Sequence, residues 1–328
     1  MKKLLFILLV LSFESQASLL LNQEQCSNVD IREVNPALRE TFSTPRDQDS
    51  IGWCFGFTAA DLLTAKLGTP VSAYHVSAIY NRAISRDFFW RTMYEIGDVI
   101  NGGAFREVYE GGYIGKAIKA TRNHRTVCTE EQVPFDASYF GGTRLEITNM
   151  ERLRDQVRAS QDLKNSCDLI EQTFPSGILG NRNFESIQAS LVHDNINETL
   201  ETITSSACTE NPVQVGDVSY KDMGRPSGDN ESSQRKYLAA IDATLRSGNP
   251  VGISWNPGKV MNTGGGKHAS SVIARRWNNG KCEYKIRNSW GQTCEAYLPE
   301  IDCNRSEGAF WVNDETFHQM VSGITFIK

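Results

Sequence analysis

The sequence holds no apolar run of the ~20 residues that a membrane-crossing helix needs; its longest, Leu4 to Phe13, is ten residues broken by Ser12. No stable membrane anchor is therefore expected. Basic residues are not in excess, with 34 Lys and Arg against 39 Asp and Glu for a net charge of −5. That leaves no general electrostatic reason to bind nucleic acid. There is no Cys-x-x-Cys pair and no His-Glu-x-x-His, so neither a zinc site nor any other cofactor is expected. Internal repeats are absent too. Hydrophobic residues at 40% and charged residues at 22% exclude full disorder.

What is present begins with an export signature. Lys2 and Lys3 precede the short apolar stretch, and Ser15-Gln16-Ala17 places small residues around a cleavage point. Residues 1–17 thus read as a signal peptide, with a secreted or periplasmic destination and, from its two leading lysines, a bacterial source. Export makes disulfides permissible for the 8 Cys. The 328 residues suit two domains, or one with a large insertion.

The remaining chain divides by pattern. Residues 18–46, with Pro36 and Pro45, read as an extended N-terminal arm with at most one short helix. A helix-rich domain follows over 47–138, then a polar segment over 139–234 with helical patches at Met150 to Leu169 and Phe184 to Leu200. In 235–328 a helix at Tyr237 to Leu245 ends at Gly248-Asn249-Pro250. Strand-like runs follow at Val251 to Trp255, Ser270 to Ala274, Cys282 to Arg287 and Ala309 to Val312. Helices first and antiparallel strands last indicate an α+β fold.

Cys54 opens the run Cys54 to Leu67, which Gly68 and Pro70 close. The run reads as an amphipathic helix with Thr58, Asp61 and Thr64 on its polar side. A thiol at a helix N-terminus has its pKa lowered by the unpaired N–H groups there. Partners for it lie far downstream. The turn sequence Asn278-Asn279-Gly280 predicts a hairpin that brings Asn288 within one or two positions of facing His268. An amide oxygen on one ring nitrogen would fix the tautomer and leave the other nitrogen for a thiol. His75, His124, His193 and His318 have no such partner set and read as structural.

Three segments resemble the papain-like cysteine peptidases, the papain and cathepsin family: Gln48-Asp49-Ser50-Ile51-Gly52-Trp53-Cys54-Phe55-Gly56-Phe57, Lys267-His268-Ala269, and Ile286-Arg287-Asn288-Ser289-Trp290-Gly291. Weaker echoes are Gly111-Gly112-Tyr113, Cys128 to Phe135, Asn249-Pro250-Val251 and Gly308-Ala309-Phe310-Trp311. The resemblance implies a helical left domain carrying the thiol, an antiparallel β-barrel-like right domain carrying His and Asn, and a cleft between them for a peptide or protein substrate. It also implies a monomer. It makes Cys54 the nucleophile, His268 the base and later acid, Asn288 the orienting residue, and Gln48 an oxyanion donor. Trp290 would cover the His268–Asn288 bond, and Gly111 and Gly112 would let a substrate backbone approach.

The departures are specific. The family's half-cystine before the nucleophile is Ile51 and its partner is Tyr109, so an apolar contact is expected in place of that cross-link. Bulky Trp53 and Asp49 stand where small residues are usual and put the cleft's shape in question. From Cys54 to His268 the chain runs roughly 60 to 80 residues longer than the family's usual spacing. The extra length is expected to be a helical addition on the cleft rim within 139–234, with deletion of about residues 145–225 sparing the fold. Among the remaining cysteines, Cys294 with Cys303 and Cys167 with Cys208 are the expected bridges, leaving a free thiol among Cys26, Cys128 and Cys282. The Gly264-Gly265-Gly266-Lys267 run lacks the Ser or Thr of a phosphate loop, because His268 stands there, and reads as a flexible approach to His268. Two other readings stay open: an exported thiol amidohydrolase acting on cell-wall peptides, and a non-catalytic pseudopeptidase that binds peptides.

Overall fold

The computed structural model describes residues 20–89, 91–93, 108–135, 148–155, 191, 195–226, 231–262 and 266–328. The signal-peptide segment, most of 139–194 and Cys167 lie outside them. Among the described residues, eight helices and ten strands run in the order β1 (Val29–Asp30), α1 (Ile31–Val34), α2 (Arg39–Ser43), α3 (Cys54–Leu67), α4 (Ala73–Arg86), α5 (Ile114–His124), β2 (Thr126–Val127), α6 (Ile196–Ser206), β3 (Val213–Gln214), β4 (Tyr220–Gly224), α7 (Glu231–Arg246), β5 (Val251–Trp255), β6 (His268–Asn278), β7 (Lys281–Arg287), β8 (Asp302–Asn304), β9 (Ala309–Asn313), α8 (Asp314–Met320) and β10 (Val321–Ile327). The fold is α+β, with helices gathered on one core and an antiparallel sheet on another.

The sheet runs β4-β10-β5-β6-β7-β9-β8, with β1 on β6 beyond the end of β5. It is open, and β4 and β8 are its edges among the described residues. That corrects the expected barrel-like closure. Residues alternate between two partners, as a strand buried on both faces requires. Val251, Ile253, Val272 and Ile286 join the core made with Tyr237, Ile241 and Leu245 of α7 and Phe317 of α8. Gly252 and Ser271 turn the other way, toward Thr58 and Asp61 of α3.

Helix α3 is the element both cores share. Gly68, at φ 70°, ends it with its N–H on Thr64 O. Gly56 is where α4 crosses: a Cβ there would lie 1.9 Å from Ser77 Oγ. The side expected to face water is buried, with Thr58, Asp61 and Thr64 each under 5% exposed. Asp61 accepts from Arg46 Nη1 at 3.1 Å, from Arg287 Nη1 and from Ser271 Oγ at 2.9 Å. Arg46 also reaches Glu130, and Arg287 the carbonyls of Thr41 and Thr44.

The N-terminal arm is not extended. It folds into α1, a 3-10 turn at Pro36–Leu38 and α2, and buries Ile31, Leu38 and Phe42 in the sheet-side core. Among the described residues three disulfides are formed: Cys26–Cys282, Cys128–Cys208 and Cys294–Cys303. The last matches expectation. Cys208 pairs with Cys128 rather than Cys167, and none of Cys26, Cys128 and Cys282 is free. Cys26–Cys282 spans 256 residues, a closure that the chain-entropy account rates at about 5.5 kcal/mol.

The described part of the 139–234 segment is built into the body. Ile196, Leu200 and Ile203 of α6 are in the helical core, and β4 pairs with β10. Deleting residues 145–225 would remove both and the Cys208 half of a disulfide, so the expectation that it spares the fold is corrected.

A buried polar cluster holds α6 in place. Cys128 N–H donates to His75 Nδ1 at 2.9 Å, so the His75 proton sits on Nε2 and points at Ser205 Oγ, which donates to Glu201. His124 faces two acceptors, Thr126 O at 2.8 Å and Glu201 Oε1 at 2.7 Å, and is therefore an imidazolium; Arg82 completes the cluster on Glu201. The hydrogen bond to Glu201 raises the His124 pKa. Glu201 falls to about 2 because His124, Ser205 and Arg82 together outweigh its burial.

A His with a raised folded pKa gives stability that is full below its ordinary 6.5 and is lost as pH rises through the folded value. A Glu with a depressed pKa gives stability that is full above 4.5 and is lost as pH falls toward 2. The cluster should thus stabilise most between about 4.5 and 6.5, with Glu201 contributing on the order of 3 kcal/mol. Thermal melts across pH should show His124→Gln losing stability below pH 6.5 and approaching the parent protein as pH rises through the raised His124 pKa. A constant difference at every pH would show that the loss is one of packing.

Candidate active site

Cys54 is half-buried and is the free cysteine among the described residues. It begins α3 without a side-chain cap. The thiol receives the backbone N–H groups of Ala269, Phe55 and Cys54 itself, which pull its pKa down, but burial outweighs them and pushes it up to about 11. The expected lowering by the helix terminus is real in sign and smaller than the desolvation. The contact with Ala269 places the sulfur beside the residue that follows His268.

His268 opens β6 and is 6% exposed. Its Nε2 lies 2.8 Å from Asn288 Oδ1. One donor that marks the sense of the amide is Ser289, whose backbone N–H can only donate and ends on the same Oδ1 at 2.9 Å. Nε2 therefore carries the proton and Nδ1 has the lone pair. Burial lowers the His268 pKa to about 4, and the Asn288 bond opposes that in part.

A β-bulge makes this pairing possible. The β6–β7 hairpin turns at Asn279 and Gly280, both at positive φ, with Asn278 opposite Lys281. Carried unbroken, that register would set Asn288 opposite Ser271, on the face away from His268. The register instead shifts between Val272 and Ala274, so that Ser271 meets Arg287 and Asn288 comes level with Ser270. Residues 268 and 270 share a face, and Asn288 joins them. Turn arithmetic finds the neighbourhood; nothing in the residue types announces the bulge.

Trp290 stacks on His268 at a centroid distance of 4.1 Å and 27° between planes, and Trp255 meets the same ring edge-on at 5.3 Å. The segment before the nucleophile is zipped to the segment behind Asn288: Gln48 N–H donates to Ser289 O, and Gly291 N–H to Arg46 O. Gln48 is buried, accepts from Ser289 Oγ, and donates one Nε2 hydrogen to Ile51 O at 2.8 Å. The other hydrogen is the one available to a developing anion. Ser270, Ser289 and Tyr297 bond to Asn288, and Trp255 bonds to Ser270; of these Ser289 lies in a motif, and the residue types of the others give no signal.

Trp53 does not reach the cleft. It is fully buried and its Nε1 donates to Tyr109 O at 3.0 Å. Ile51 and Tyr109 are both in the helical core, as expected for a lost cross-link, and hydrogen bonds tie the segments as well: Gly111 N–H to Gly52 O at 2.7 Å and Gly52 N–H to Glu110 Oε2 at 3.1 Å. Gly111 has φ 82°. A Cβ on Gly112 would strike the rings of Phe55 and Tyr80, so that glycine backs onto the core and leaves its main chain exposed.

His75, His124 and Glu201 lie close enough together to suggest a metal site. Their hydrogen bonds argue otherwise. Both His124 nitrogens and His75 Nε2 carry protons, and Arg82 already neutralises Glu201.

No family model and no curated protein matches the chain. Among solved structures it is similar to the Amb a 11 cysteine protease of ragweed pollen in its proform, at 12% identity and TM-score 0.45 over 95% of this chain and 66% of that one. It is similar to digestive procathepsin L 3 of Tenebrio molitor at 14% identity and TM-score 0.39 over 88% and 70%. The bromelain protease of Ananas comosus is similar at 12% identity and TM-score 0.39 over 87% and 97%.

Proposed function

We propose that the protein is an exported, papain-like cysteine peptidase that hydrolyses peptide bonds through an acyl-enzyme on Cys54. One observation carries the reading: an unbridged thiol at the head of α3 lies against the Ala269 N–H, while the adjacent His268 is held through Nε2 by Asn288. A structural cysteine has no use for an imidazole fixed with its lone pair free.

The Cys54 sulfur attacks the scissile carbonyl carbon as its proton passes to His268 Nδ1. The resulting oxyanion is met by the Cys54 N–H, which has no intrahelical carbonyl partner and turns from the sulfur as that sulfur is acylated, and by the second Gln48 Nε2 hydrogen. Collapse breaks the C–N bond, and the leaving amine takes the proton from Nδ1. Water then gives a proton to Nδ1 and attacks the thioester, releasing the acid and the thiol. Trp290 and Trp255 cover the imidazolium while it exists, and the exposed main chain of Gly112, beside Gly111, offers strand-like pairing to the substrate.

Cleavage profiling on a mixed peptide library tests this. The wild-type chain should cut internal or terminal peptide bonds, and Cys54→Ala should cut none. Cleavage confined to cell-wall peptides would move the assignment to the amidohydrolase. Binding without turnover would make the protein a pseudopeptidase.

A further inference from the structure

Asn288 Oδ1 accepts from three donors: His268 Nε2 at 2.8 Å, the Ser289 backbone N–H at 2.9 Å and Ser270 Oγ at 3.1 Å. A carbonyl oxygen has two lone pairs, so the third donor is not needed to satisfy it. The Ser270 hydroxyl is itself constrained. Trp255 Nε1, which can only donate, ends on Ser270 Oγ at 3.0 Å. A hydroxyl that accepts from the indole directs its own proton at Asn288. Trp255, Ser270 and Asn288 are each under 5% exposed, so water does not substitute for any of them.

This directionality bears on the tautomer of His268. If the Asn288 amide rotated by half a turn, Nδ2 would face the Ser289 N–H, the Ser270 O–H and His268 Nε2. Two of those contacts would set donor against donor in a buried place. Nε2 would have to accept, the imidazole proton would move to Nδ1, and the lone pair that receives the Cys54 proton would be lost. The opposite end of the amide gives no such discrimination. Asn288 Nδ2 donates to Tyr297 OH at 2.7 Å, and a phenol can donate as readily as accept.

Resting on the reading of Cys54 and His268 as nucleophile and base, we infer that Trp255 and Ser270 are positioning residues. Together they lock the sense of the Asn288 amide and so the Nε2–H tautomer of His268. Neither touches the reacting atoms. Ser270 is the side chain that discriminates, and Trp255 makes it do so.

The test separates this from the peptidase reading. In a Cys54→Ala background, nitrogen-15 NMR of histidine-labelled protein reports the His268 tautomer without any need for turnover. The parent should show Nε2–H alone. Ser270→Ala should move a measurable share to Nδ1–H, and Ser270→Thr should restore the parent signal. Trp255→Phe, which keeps Ser270 but frees its hydroxyl, should do the same as Ser270→Ala to a smaller extent. With Cys54 present, Ser270→Ala should lower kcat about tenfold at unchanged KM, and Ser270→Thr should recover it. An Nδ1–H parent, or Ser270→Ala and Trp255→Phe proteins that both keep pure Nε2–H, would overturn the inference. Should Ser270→Ala fail to fold, Ser270→Thr and Trp255→Phe decide it.

Discussion

His268→Ala is expected to slow alkylation of Cys54 by iodoacetamide at pH 6 by at least two orders of magnitude, and by far less at pH 10. Burial holds the thiol at about 11 and the imidazole at about 4. Taken singly, those values leave both groups neutral; the proton moves to the imidazole because the two charges, once side by side, attract each other where water is scarce, and the macroscopic titrations then belong to the pair. The wild-type rate should therefore rise as pH passes about 4 and stay level up to the alkaline limit. Without the imidazole the proton has nowhere to go. Even an unburied thiol of pKa ~8.5 is ionised to about one part in 300 at pH 6, and the rate should climb tenfold per pH unit instead of staying flat. Peptide hydrolysis should fall further, by about 10⁴-fold or more, because base and acid are lost together. Intact-mass kinetics from pH 5 to 10, with peptide mapping to assign the label to Cys54, measures this directly. A His268→Ala profile parallel to that of the wild type would show that the imidazole never serves the thiol.

The chain disclosed its chemistry more readily than its architecture, and the reasons are local. Cys54 to Leu67 was legible as a helix because Gly68 and Pro70 close it, and the structure agrees to the residue. Its polar side was misread because periodicity distinguishes polar from apolar, not water from a second core: Thr58 and Asp61 face the sheet. The hairpin was legible from Asn279-Gly280, whereas the bulge that turns Asn288 toward His268 lies among Val272, Ile273 and Ala274, ordinary strand formers. Disulfide partners are long-range facts. Cys26–Cys282 and Cys128–Cys208 join segments 256 and 80 residues apart, and spacing says nothing about them. Edge strand β4 is Tyr220–Gly224, with Lys221 and Asp222 exposed, and it exists because β10 supplies its ladder.

Asp61→Ala is expected to be the most destabilising single substitution in the fold, at about 3–5 kcal/mol, because it leaves two buried guanidinium groups facing each other without their shared carboxylate. Arg46 and Arg287 are almost wholly enclosed, and Arg287 Nε already lacks a partner. Asp61→Asn should be milder, since an amide oxygen still accepts from one arginine while the charge is gone. The double variant Asp61→Ala with Arg287→Met should recover part of the loss, as removing a stranded charge does. Non-reducing thermal melts measure all three. The consequence reaches the thiol as well. Asp61 lies on the helix that Cys54 begins, and Arg287 immediately precedes Asn288, so this ion triad pins the nucleophile's element to the one that carries its partners. Below its melting temperature, Asp61→Ala should therefore alkylate at pH 6 more slowly than the parent. If the melting point falls while the alkylation rate is unchanged, the triad is a stabiliser of the two cores and plays no part in aligning the site.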